Sequence, residues 1–217
     1  MRRSADSVFT KIFARSISVH ISPLLAKTSI KPLQITCIGL FLGLCAAWLA
    51  IKPSWYSCLI AALLIESSHI LDCIDGELAR LTNRGSPFAA FFDPISDRFK
   101  DIAIIYASCL KASKVAVFNL AQDTIFFVAF FSLAFWLLYM YIVDAYLNPS
   151  RKEDAKSNSL KNYRSYLGLY DLFIYGSIVF LIGNIFEFFN FYILVLALMG
   201  VLIQIYRLDK VLRNDDT

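Results

Sequence analysis

Residues 71–98 read LDCIDGELARLTNRGSPFAAFFDPISDR, with Asp72, Asp75, Asp93 and Asp97 set in sequence that turns apolar on both sides. Residues 54–65 lead into this stretch and 102–110 lead out of it, and neither window holds a charge. Four more windows, 35–51, 124–143, 172–186 and 188–206, are equally free of charged residues. A membrane-spanning helix needs roughly 17–25 predominantly apolar residues, so the shorter windows must extend through their flanks, the aspartates included. Six transmembrane helices are predicted, over 33–51, 54–82, 87–110, 122–146, 169–186 and 189–210. The whole chain of 217 residues agrees, being 58% hydrophobic with a mean hydropathy of +0.60, against about 45–50% apolar residues in soluble domains.

Charge follows the same frame. The net charge is +4, but the basic residues gather at membrane edges and do not form a nucleic-acid surface. Residues 1–31 carry Arg2, Arg3, Lys11, Arg15, Lys27 and Lys31 against Asp6 alone, and 151–164 carry Arg151, Lys152, Lys156, Lys161 and Arg164. The connections near 52–53 and 187 hold one charged residue each, with Lys111 and Lys114 blurring the contrast. By the positive-inside rule both termini are expected in the cytoplasm. No removable signal peptide is expected, because no long apolar run precedes residue 35.

Residues 5–20 space Val8, Ile12, Phe13 and Ile17 on one side of a helix, with Lys11 and Arg15 elsewhere. That pattern predicts an amphipathic helix along the cytoplasmic interface. The chain is thus expected to divide into a juxtamembrane segment (1–32), a six-helix transmembrane domain (33–210) and a short cytoplasmic tail (211–217). The five cysteines lie singly along predicted helices and read as small packing residues.

An ionisable residue near the middle of a membrane helix costs ~2.5–3.5 kcal/mol on insertion scales, so four aspartates demand compensation. Asp72 and Asp75 are three apart, and Asp93 and Asp97 four apart, so each pair shares one helix face. Counted outwards from a turn at Asn83, Asp75 and Asp93 lie ~12 and ~15 Å along antiparallel neighbours at 1.5 Å rise per residue. Both pairs therefore face each other at one level below the cytoplasmic surface. Carboxylates so close repel, and one or two divalent cations remove the conflict; an oxygen-only donor set suits Mg²⁺ or Mn²⁺. Gly76 and Ala79 leave an open floor beside them, and Arg80 offers a planar cation for phosphate. A pyrophosphate fits such a site.

The run from Asp72 to Asp97 resembles the signature of the CDP-alcohol phosphotransferase family, D-x2-D-G-x2-A-R-x8-G-x3-D-x3-D. Asp72, Asp75, Gly76, Ala79, Arg80, Asp93 and Asp97 match in identity and spacing, and Ala89 stands where the family has a second glycine. IKPLQIT at 30–36 resembles the family's P-N-x-x-T motif, keeping Pro32 and Thr36 with Leu33 in place of Asn. The resemblance implies transfer of a phospho-alcohol from its CDP ester to another alcohol, with release of CMP, by a homodimer. Asp72, Asp75 and Asp93 are then ligands of two metals. Asp97 is the base for the acceptor hydroxyl and shares in the metal site. Thr36, Gly76, Ala79, Arg80 and Ala89 border the CDP moiety. Arg84, Arg151, Lys152 and Arg164 are the candidates for an acceptor phosphate.

Two donors stay open. One is CDP-diacylglycerol or a related CDP-lipid, making a phospholipid synthase of a multi-pass protein in the cell or inner membrane, its site opening to the cytoplasm. The other is a soluble CDP-alcohol such as CDP-inositol, towards which DRFKD at 97–101 points through its likeness to di-inositol-phosphate-type members. A membrane ion or metal transporter and an inactive scaffold are the rivals of another class. Arg98, Glu66 and His69 read as helix-pairing residues, Asp101 equally as a helix-packing acid or as a support of the aspartate site, and Asp144 as an acceptor contact or an interfacial acid.

Overall fold

A computed structural model describes residues 8–114, 120–143 and 168–215, and among these the chain forms eight helices and no strand. They are α1 (Val8–Ile12), α2 (Ala14–Ala26), α3 (Pro32–Ala50), α4 (Trp55–Thr82), α5 (Pro87–Ala112), α6 (Gln122–Ile142), α7 (Leu169–Gly183) and α8 (Phe186–Asp215). The boundaries follow local chemistry. Pro32 and Pro87 open α3 and α5, where a missing N–H costs nothing. Ser86 caps α5 by accepting from the Ala89 amide at 3.1 Å. Asn83 and Asn184 close α4 and α7 in the left-handed conformation, at φ 52° and 53°, which asparagine tolerates better than most residues.

Four helices, α3, α4, α6 and the Phe186–Tyr206 part of α8, are long and apolar enough to cross a membrane. The two remaining predicted spans fall short for different reasons. Between Asp93 and Lys111, α5 carries six charged residues. The 15 residues of α7 reach only about 22 Å at 1.5 Å per residue.

Helix α3 packs on α4 and α5, α4 on α7, and α8 on α5, α6 and α7. The main core runs between them, with Trp136 of α6 stacked on Phe173 of α7 at 4.4 Å between ring centroids. A smaller core, Ile35, Ile74 and Leu78, lies under α2 at the end of the bundle that carries the aspartates.

The predicted N-terminal helix is split at Phe13 into α1 and α2, and α2 runs on through Pro23. Its faces are reversed relative to a soluble helix: Ile12, Phe13, Ile17 and Leu24 point outwards, whereas Arg15, Ser18 and Ser22 are buried against α4. Glu77 of α4 holds that polar face, accepting from Arg15 Nη1 at 2.6 Å, Ser18 Oγ at 3.1 Å and Ser22 Oγ at 2.6 Å. Thr10 of α1 adds a tie to α7, its Oγ1 donating to Asp171 Oδ2 at 2.8 Å.

Two charges counted above as loop residues are elsewhere. Glu187 lies in the first turn of α8 and is buried, the turn having come earlier, at Asn184. Lys111 is 1% exposed; its ammonium donates to the Lys52 carbonyl beyond α3 and faces the Phe186 ring.

Candidate active site

The signature straddles the α4–α5 hairpin. Asp72 and Asp75 sit on the last turns of α4, Asp93 and Asp97 on the first turns of α5, and the turn between them begins at Asn83. One oxygen from each of Asp72, Asp75 and Asp93 lies within 4.8 Å of the others. Three hard oxygens converging from two helices fit a Mg²⁺ or Mn²⁺ ion, whose shell water and phosphate oxygens complete.

Asp75 is the most enclosed of the three, and Thr36 of α3 donates to its Oδ2 at 2.6 Å. That bond commits one carboxylate oxygen to the protein and leaves Oδ1 for a ligand. Thr36, expected beside the nucleotide, therefore touches the carboxylate group itself.

Arg80 folds back over Gly76. A Cβ there would stand 3.3 Å from Arg80 Nη1, so the glycine lets the guanidinium lie close against the helix. Ala79 faces Gly85 across the hairpin, where a Cβ on the glycine would meet its methyl at 3.8 Å. Ala89 is half-buried in the first turn of α5.

Asp97 faces Asp72 from α5 but is differently engaged. It does not belong to the converging group, and its Oδ1 instead forms an ion pair with Lys100 Nζ at 2.7 Å. Asp101, one turn on, accepts from Trp136 Nε1 at 2.9 Å and pairs with Arg98 at 3.6 Å. His69 contacts Thr10 Oγ1 at 3.4 Å, so it faces the N-terminal helix. Arg84 donates to the Thr28 carbonyl at 2.9 Å. Arg151, Lys152, Arg164 and Asp144 lie outside the described residues.

The sequence profile of CDP-alcohol phosphatidyltransferases matches residues 30–203. The chain belongs to that family. Curated relatives include a "Bifunctional IPC transferase and DIPP synthase" of Aquifex aeolicus, 31% identical over 102 residues that cover 47% of this chain and 23% of the relative. A protein of the same name from Archaeoglobus fulgidus is 36% identical over 125 residues, 55% of this chain and 24% of the relative. The matches thus span about a quarter of these relatives. Among solved structures, the phosphatidylinositol phosphate synthase of Mycobacterium tuberculosis, in complex with manganese and citrate, superimposes with a TM-score of 0.62 at 19% identity. That comparison covers 90% of this chain and 88% of the synthase. The fold is therefore one the family uses.

For a CDP-alcohol phosphatidyltransferase two residues of this site were missed in the sequence. Lys100 was one: a lone lysine three residues after an aspartate in a membrane helix signals an i,i+3 ion pair. Glu77 was the other. It lies inside the signature, on the face opposite the cluster, and its demand for partners pointed to the polar side of α2.

Proposed function

We propose that this chain catalyses metal-dependent transfer of a substituted phosphate, with a phosphatidyl group as its natural cargo, from a CDP-alcohol to an alcohol acceptor, releasing CMP. The observation that carries the reading is the convergence of Asp72, Asp75 and Asp93 within the family signature. Asp72, Asp75 and Asp93 would hold divalent ions, which when bound would supply charge neutralisation for the pyrophosphate and the departing CMP. Asp97 takes the proton from the acceptor hydroxyl as its oxygen bonds to the phosphorus and the bond to CMP breaks. Arg80 pairs with phosphate oxygens at the mouth of the site.

CDP-diacylglycerol is the donor favoured, with an inositol phosphate as acceptor. The fold neighbour from Mycobacterium tuberculosis has also been solved with CDP-DAG bound, and a Pyrococcus horikoshii relative is an archaetidylinositol phosphate synthase. Arg84, Arg151, Lys152 and Arg164 are the acceptor-phosphate candidates. CDP-inositol as donor is the second reading, favoured by DRFKD at 97–101 and by the relatives named IPC transferase.

The same reading makes α3 to α8 six membrane spans, with 1–32 as juxtamembrane segment and 211–217 as tail. Although α5 is charged, Lys100 pairs with Asp97, Arg98 with Asp101, and Lys111 with a carbonyl, which is how ionisable groups are carried inside a bilayer. The outward apolar side of α2 suits an interfacial position. The basic segments 1–31 and 151–164 favour cytoplasmic termini and a site open to that side. A homodimer follows from the family resemblance.

The test is CMP release by the detergent-solubilised chain with Mn²⁺ or Mg²⁺. CDP-diacylglycerol and CDP-inositol serve as donors, and inositol 1-phosphate, glycerol 3-phosphate, inositol and serine as acceptors. Release dependent on donor, acceptor and metal together establishes the reaction and names the product. Silence with every pair, in protein that binds Mn²⁺, overturns it.

A further inference from the structure

Lys100 has no role in the reaction proposed above, yet the fold makes room for it. Its side chain is only 14% exposed, and its ammonium sits 2.7 Å from Asp97 Oδ1. The stem lies in a slot on α3: a Cβ at Gly43 would stand 2.7 Å from Lys100 Cγ and 2.8 Å from Cδ. Any side chain at 43 would displace the lysine. A cavity of about 40 Å³ adjoins it, lined also by His69, Asp72, Asp101 and Tyr170. Three of the four signature carboxylates share one converging group; Asp97, which faces Asp72 at its edge, is outside that group and is the one in direct contact with Lys100.

We infer that Lys100 is a positioning residue that competes with a divalent ion for Asp97, keeping the fourth carboxylate off the metal group and available to the acceptor hydroxyl. The inference rests on the reading of the aspartates as a metal site. An ammonium and a metal ion seek the same carboxylate oxygens, and both are hard cations. The adjoining cavity is largely apolar, but Asp101 on its wall gives the ammonium a second carboxylate to turn to when Asp97 turns to metal or substrate.

The experiment is Mn²⁺ binding to the full-length detergent-solubilised chain, followed by the electron paramagnetic resonance of free Mn²⁺. Four proteins are compared: wild type, Lys100→Met, Asp97→Asn and the double variant. Methionine keeps the stem in the Gly43 slot and removes the charge. Lys100→Met is expected to tighten Mn²⁺ binding by roughly fivefold or more, and the same change in the Asp97→Asn background to move it by less than about twofold. Equal tightening in both backgrounds means that Lys100 acts only through its field, and overturns the inference. So does unchanged binding in Lys100→Met. Should Lys100→Met fail to fold, Gly43→Ala, which evicts the stem, is expected to tighten binding in the same Asp97-dependent way. A wild-type chain that binds no Mn²⁺ overturns the metal reading and this inference together, whereas binding with a flat comparison overturns this inference alone.

Discussion

At the scale of single residues, Asp97 and Thr36 separate the chemistry from its support. Asp97→Asn preserves shape and removes the proton acceptor. CMP release is expected to fall by about 10²-fold or more, in protein that still elutes as a folded species on size exclusion. Unaltered turnover would remove Asp97 from the mechanism. Thr36→Val keeps volume but leaves Asp75 Oδ2 without the 2.6 Å bond it accepts. Supporting bonds of this kind are worth about 10–100-fold in metal affinity, so Mn²⁺ binding should weaken by about tenfold, with Thr36→Ser restoring it. If valine and serine behave alike, Thr36 has only a packing or nucleotide role. The four aspartates were legible in the sequence because ionisable residues are costly in apolar helices and their spacing fixes which face they share. What the spacing could not carry was the difference among them. That depends on Lys100, whose stem needs the absence of a side chain at Gly43 on another helix. No local pattern records such a long-range fit.

At the scale of elements, the long apolar helices were readable from their charge-free windows; α5 begins at Pro87 as expected, and α3 begins at Pro32, one residue before the expected start at 33. The errors share one cause, which is that a charge was assigned to water when the fold gives it a partner. Glu187 and Lys111 were counted in loops and are buried. Arg15 was expected on the wet side of an amphipathic helix and instead meets Glu77 at 2.6 Å. That pair ties α2 to the hairpin that carries the signature, because Glu77 is two residues from Asp75 on the same helix. Glu77→Leu leaves the Arg15 charge buried without its carboxylate, and breaking a buried pair costs about 3–5 kcal/mol. The expected result is a lowered melting temperature, together with protease sensitivity gained within residues 14–26. Adding Arg15→Leu to Glu77→Leu should recover part of the loss, since the stranded charge is then gone. If Glu77→Leu melts like wild type, α2 is not held through this carboxylate.

At the scale of the whole molecule, the metal site and the stability of the bundle are one property. Asp72 and Asp75 belong to α4 and Asp93 to α5, so an ion that satisfies their converging oxygens ties the two helices of the hairpin together. Without it, charges on the same carboxylates repel one another across the hairpin. Binding to the folded state alone stabilises by mass action, ~2.7 kcal/mol at a hundredfold excess over the dissociation constant. For a chain of this size that corresponds to roughly 5–10 °C in melting temperature. The expected outcome is that EDTA lowers the melting temperature of the detergent-solubilised chain and abolishes CMP release, and that Mn²⁺ restores both. Asp75→Asn should make melting insensitive to Mn²⁺. It also lessens the repulsion, so the metal-free variant should melt at or above the metal-free wild type. A chain whose melting ignores both EDTA and Mn²⁺ would show that the three carboxylates hold no ion, and would leave their convergence to a proton-sharing network between α4 and α5.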